Sequence, residues 1–160
     1  IPLHPLSTIY NELLKTDKSY ISYGTAHWVA PNRVVSELPE AYRWVNQEWI
    51  ILNRRHAAYF IEDKFIIELV SRHDMDIEAY PAVYLSLLGE LHDDYIINKW
   101  TTFVDWQHQN AGDSSPYHFF EADAFSMQLL EEAKRGSCFF ARKFMKTFPE
   151  EILETLIQEN

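Results

Sequence analysis

Phe139-Phe140-Ala141-Arg142-Lys143-Phe144 sets two adjacent cations in an aromatic, apolar run. Burying either charge there is costly unless something anionic meets it. In an extended strand, alternation sends Phe140, Arg142 and Phe144 to one face and Ala141 and Lys143 to the other. At a strand end both cations could still reach one ligand, arginine as a planar fork and lysine as a point charge. A phosphate or diphosphate fits such a pair. The alternative is a sheet-edge strand whose Arg142 and Lys143 discourage edge-to-edge pairing.

Other residues that could carry chemistry are spread along the chain. Asp74-Met75-Asp76 has a spacing that could hold a divalent cation. It follows a helical stretch rather than a strand, which favours a solvated helix end. Trp49 and Trp106 can each form a stacking platform for a sugar, although tryptophans are more often core residues. Arg54 and Arg55 stand at a helix start, where they oppose the helix dipole; that placement calls for a partner carboxylate or a ligand. The seven histidines show no H-x-x-H spacing, so zinc is not expected. No serine sits in a G-x-S-x-G elbow, and Cys138 beside Phe139 reads as a small core residue.

The elements that must position these residues alternate between helix and strand. Ser7 is a candidate cap for a helix with Ile9, Tyr10, Leu13 and Leu14 on one stripe. Tyr20–Tyr23 reads as a strand ended by Gly24, and Trp44–Leu52 as a second strand. Asn53 is expected to cap a helix running to about Ser71, with Ala57, Phe60, Ile61, Phe65 and Leu69 inward. Glu78–Leu88 reads as a helix with Pro81 in its first turn. Tyr95–Trp106 reads as a strand or strand pair, and 107–118 as a polar loop. Asp123 caps a helix that Gly136 stops, and the Phe139 strand follows. Thr147 with Glu150 predicts a capping box for a last helix, Pro149–Gln158. The expected class is α/β, with helices on a mixed sheet, in a single domain over residues 1–160.

In order, Glu48-Trp49-Ile50-Ile51-Leu52-Asn53-Arg54-Arg55, Asp76-Ile77-Glu78-Ala79-Tyr80, Val104-Asp105-Trp106, Ser115-Pro116, Phe119 to Asp123 and Phe139 to Phe144 form a series. This series resembles the C-terminal half of glycosyltransferase family 14. That family holds peptide O-xylosyltransferases and branching β-1,6-N-acetylglucosaminyltransferases. Its patterns are W-x-x-L-x-R-R, P-x-E-x-F/Y-F, V-D-W followed by S-P, F and D, and a terminal F-F-A-R-K-F. The resemblance implies the C-terminal part of a GT-A-like domain, whose nucleotide-binding half would precede Ile1. It implies an inverting, metal-independent transfer of xylose or N-acetylglucosamine from a UDP-sugar to a glycan or glycoprotein hydroxyl. The UDP-sugar is a substrate, and no cofactor is implied. By the same resemblance Glu78 is the catalytic base, Arg142 and Lys143 hold the diphosphate, and Glu48, Trp49 and Trp106 contact substrate. Three places depart from the pattern, one of them Ala79-Tyr80-Pro81, where the family has a more aromatic run. Asp76 stands where the family has proline, and Glu48 where xylosyltransferases have aspartate. Apart from any family, Glu78 could simply favour the positive end of its own helix.

Composition bounds these readings. With 160 residues, 47 % hydrophobic and 15 % aromatic, the chain can bury a core. A net charge of −10 argues against nucleic acid as a partner. A lone cysteine excludes an internal disulfide framework and is expected of a bacterial or viral protein in a reduced compartment rather than a secretory lumen. No stretch of the sequence is long and apolar enough to span a membrane. The rival function is a non-catalytic relic or subunit that binds a glycan or a protein. A partner chain or a second copy is then expected to cover its open sheet edge.

Overall fold

The structure, a computed structural model, describes residues 1–25, 38–64, 68, 78–109 and 115–158. They form two compact units: Ile1–Thr16 with Thr101–Asn160, and Asp17–Trp100.

The Asp17–Trp100 unit holds strands β1 (Ser19–Tyr20), β2 (Tyr23–Thr25) and β3 (Trp44–Asn46), helices α2 (Arg54–Glu62) and α3 (Tyr80–Leu87), and strand β4 (Ile96–Ile97). β1 pairs parallel with β4, Ser19 opposite Ile96, and Tyr20 forms an antiparallel bridge to Ile51. β2 and β3 pair antiparallel, with Gly24 opposite Val45. The α3 sequence is apolar all round, and Pro81 to Leu85 are buried without a break, as expected of a helix inside a core. Ile21, Leu85 and Ile96 make one packed cluster against Ile50, Leu52, Phe60 and Tyr95.

The other unit holds α1 (Leu6–Leu13), β5 (Thr102–Val104), α4 (Ala124–Arg135), β6 (Phe140–Arg142) and α5 (Glu150–Gln158). β5 and β6 run parallel, with Thr102 opposite Phe140 and Val104 opposite Arg142. Its core gathers Leu3, Phe119, Leu129, Leu130, Cys138, Ala141 and Phe148, which places Cys138 in the core as expected. The parallel and antiparallel pairs with interleaved helices bear out the α/β class.

Several local expectations need correction. α1 begins two residues early: the Ile9 amide already bonds to the Pro5 carbonyl, so Ser7 lies inside the helix and caps nothing. Only Ile9 of its stripe is buried, while Tyr10 and Leu14 face solvent. Gly24 sits within β2 rather than ending a strand. The stretch 44–52 is one short strand and an isolated bridge, because Gln47 and Ile51 turn to bond Ser22 and Tyr20 separately. α2 ends at Glu62, where Asp63 is extended, and Ile61 points outward. Phe65, Leu69 and Ser71 lie outside the described residues. Tyr95–Trp106 divides into β4 and β5, which pair with different strands. The Thr147 hydroxyl donates to the Phe120 carbonyl at 2.8 Å instead of capping α5, so the capping box does not form. Asn53 and Asp123 do cap, accepting from His56 and Ser126 amides, and Gly136 terminates α4.

Candidate functional site

In the Asp17–Trp100 unit, Glu78 is half-buried and lies two residues ahead of α3. Its backbone is tied to β3: the Asn46 amide donates to the Glu78 carbonyl at 2.7 Å. Asn46 is fully buried, and its side-chain Oδ1 accepts from the Ala82 amide at 3.1 Å. The exposed Glu48 and the 44 % exposed Trp49 follow β3 directly. The candidate base and the two candidate acceptor contacts are thus carried by segments that hydrogen-bond to one another. Trp49 keeps enough exposed ring to meet a ligand.

The same unit contains a polar network absent from the sequence reading. His56, fully buried in the first turn of α2, places Nδ1 2.7 Å from Ser19 Oγ and Nε2 2.9 Å from a Glu90 carboxylate oxygen. Ser19 Oγ also accepts from the Asn53 amide at 2.9 Å. With Nε2 protonated, Ser19 donates to Nδ1 and every group is satisfied. Arg55 pairs with the other Glu90 oxygen, donates to the Tyr59 hydroxyl at 2.8 Å and lies over the Tyr95 ring. The Tyr59 bond first, and Glu90 beside it, hold the Arg55 guanidinium above its ordinary basicity. Arg55 therefore has the partner carboxylate that its place at a helix start called for. Ser19 itself has no exposed surface, so the Ser–His–Glu sequence of contacts is a structural brace and not a nucleophile.

In the other unit the parallel pair settles where the cationic segment goes. β6 has β5 on one side. On its other side the Leu3 amide donates to the Phe139 carbonyl, and Ile1 and Ala141 exchange backbone bonds. It is not an edge strand, which removes the pairing-deterrent reading of Arg142 and Lys143. Since β5 and β6 are parallel and Val104 faces Arg142, Asp105-Trp106 and Lys143 leave the pair at the same end. Ligands of parallel α/β sheets sit at the carboxyl ends of strands, and that end is where Arg142, Lys143 and Trp106 gather. Trp106 is 49 % exposed. Asp105, nearly buried, accepts from the Gln107 amide at 2.8 Å and from His108 Nδ1 at 2.8 Å, and its carbonyl accepts from the Tyr117 amide. The turn that presents Trp106 is fixed by its neighbour's carboxylate.

The candidate residues fall in both units: Glu48, Trp49 and Glu78 in one, Trp106, Arg142 and Lys143 in the other. Asp74-Met75-Asp76 lies outside the described residues. No three His, Cys, Asp or Glu side chains converge as metal ligands among the described residues, and no described helix is long and apolar enough to cross a membrane. Two functional-looking residues escaped the sequence reading, Asn46 and Glu90. No local signal pointed to Asn46: that the helix begins at Tyr80 with Ala79 at its cap position, and so takes its acceptor from elsewhere, is seen only in the structure.

Short parallel and antiparallel strand pairs with interleaved helices define an α/β protein. The family comparison is specific. The family model of the Core-2/I-branching enzyme matches residues 3–134, and the chain belongs to that glycosyltransferase family. The match includes Glu48, Trp49, Glu78 and Trp106 and ends before Arg142 and Lys143. No curated protein and no solved structure matches the chain.

Proposed function

We propose that this chain belongs to an inverting glycosyltransferase with a GT-A-like fold. It moves xylose or N-acetylglucosamine from a UDP-sugar to a hydroxyl of a glycan or glycoprotein, without a metal. What carries the reading is membership of the Core-2/I-branching family over residues 3–134; the common strand end bearing Trp106, Arg142 and Lys143 supports it. In this reading Glu78 takes the acceptor hydroxyl proton as its oxygen attacks the anomeric carbon. The bond from that carbon to the diphosphate oxygen breaks on the opposite face. Negative charge then grows on the departing UDP, where the Arg142 and Lys143 side chains stabilise it. Glu48 binds the acceptor, and Trp49 and Trp106 offer flat faces for sugar rings.

Two substitutions separate the roles. Glu78→Gln should lower kcat by about 10²-fold or more while UDP affinity, read by calorimetry, stays near wild type. Lys143→Ala should weaken UDP binding. Full turnover in Glu78→Gln would remove the base assignment. UDP affinity unchanged in Lys143→Ala would remove the diphosphate assignment. UDP binding with no transfer to any glycan would favour a binding protein of the same fold.

A further inference from the structure

We infer that Asn46 is a positioning residue for Glu78, acting as a helix cap supplied from a neighbouring strand. The inference rests on Glu78 being the base and goes beyond that reading to say what aims it.

The need for such a cap follows from the α3 sequence. A helix start leaves its first amides without intrahelical partners, and α3 is buried from Pro81 to Leu85, so water does not readily serve them. Ala79 at the cap position has no side-chain acceptor and makes no side-chain cap bond. Pro81, second in the helix, has no N–H and so removes one orphan donor. The third residue, Ala82, is the position that a cap side chain normally serves, and its amide donates to Asn46 Oδ1 at 3.1 Å. The Asn46 amide meanwhile donates to the Glu78 carbonyl at 2.7 Å. One fully buried residue thus grips the chain on both sides of the turn Glu78-Ala79. Its own place is fixed by the β2–β3 pairing, Asn46 opposite Tyr23. The rotation and height of the Glu78 backbone are set by β3 through Asn46 rather than by α3 alone. A base must sit within hydrogen-bond reach of the proton it takes, and small displacements there cost rate more than binding.

The test compares Asn46→Leu, which keeps the branched shape but has no acceptor, with Asn46→Asp, which keeps an acceptor for Ala82. Transfer kinetics are measured with a UDP-sugar donor and a glycan acceptor, beside Glu78→Gln, UDP affinity and amide NMR spectra. Asn46→Leu should lose roughly 10–100-fold in kcat, with donor KM and UDP affinity unchanged, and its Glu78 and Ala82 amide signals should move. Asn46→Asp should recover most of the kcat. If Asn46→Leu does not fold, Asn46→Ser, whose acceptor is shorter, should show the same split in weaker form. A wild-type kcat in folded Asn46→Leu or Asn46→Ser, beside an inactive Glu78→Gln, would overturn the positioning role alone. So would Asn46→Asp that recovers nothing. Full turnover in Glu78→Gln would instead overturn the base reading on which it rests.

Discussion

At the scale of single residues, Glu90 carries more than its place in the sequence suggests. Its two oxygens divide between Arg55, half exposed, and His56, fully buried. Glu90→Ala strands a buried imidazole N–H, and an unsatisfied donor of that kind costs about 1–3 kcal/mol. Glu90→Gln keeps an acceptor and should cost less. Denaturant midpoints of the two variants at constant slope are the measurement, and an equal loss in both would show that the brace depends on charge. Asp123 makes a different kind of prediction. The Ser126 amide, at 2.7 Å, holds the Asp123 carboxyl below its ordinary range. A depressed folded value means the cap contributes fully above the ordinary aspartate pKa and is lost as pH falls through the lowered value. Asn also caps, but it neither titrates nor places a negative charge at the positive end of the helix. The melting-temperature advantage of wild type over Asp123→Asn should therefore shrink as the pH is taken down through the acid range.

Between the elements, the end of α3 shows how a turn delivers a functional side chain. Gly89 has φ of +70°, its amide donates to the Ser86 carbonyl, and the Glu90 amide donates to the Leu85 carbonyl at 2.8 Å. That is the Schellman arrangement, and it turns the chain so that Glu90 meets His56. An alanine at Gly89 would be held in the left-handed region at a cost of about 1–2 kcal/mol. Gly89→Ala should lower the melting temperature. Its urea m-value should stay unchanged, since a changed slope would mean that the native or denatured state itself had altered. At the start of α2, Asn53 accepts from the His56 amide at 2.7 Å and donates to the Asp17 carbonyl. Asn53→Ala should cost about 1 kcal/mol, read in the same denaturation series. Caps written in the local sequence, such as Asn53 and Asp123, were legible. The α3 cap was not, because its acceptor is Asn46, more than thirty positions away. Thr147 was misread for the same reason, since its hydroxyl bonds the distant Phe120 carbonyl; Ser7 was misread because the helix starts ahead of it, at Leu6.

For the whole molecule, the expectation concerns ligand linkage. A UDP site that exists only in the folded chain raises its stability, by about 2.7 kcal/mol at a hundredfold excess over Kd. Thermal unfolding of this chain with saturating UDP should shift upward, should shift equally in EDTA, and should lose the shift in Lys143→Ala. A shift abolished by EDTA would contradict metal independence. A shift that survives Lys143→Ala would move the diphosphate site elsewhere.

The sequence by itself determined the α/β class, the glycosyltransferase family and the positions of Glu78, Trp49, Trp106, Arg142 and Lys143 along the chain. Motif identity, hydrophobic period and local capping are properties of neighbouring residues, so they can be read without a fold. The tertiary structure decided the rest. The parallel register of β5 and β6 sends Trp106, Arg142 and Lys143 to one end, and residues 1–3 on the other side of β6 remove it from the sheet edge. The burial of His56 turned Arg55 and Glu90 into a brace, and Asn46 became the cap of a helix distant in sequence. Each of these depends on which segments lie side by side, and no local pattern encodes that.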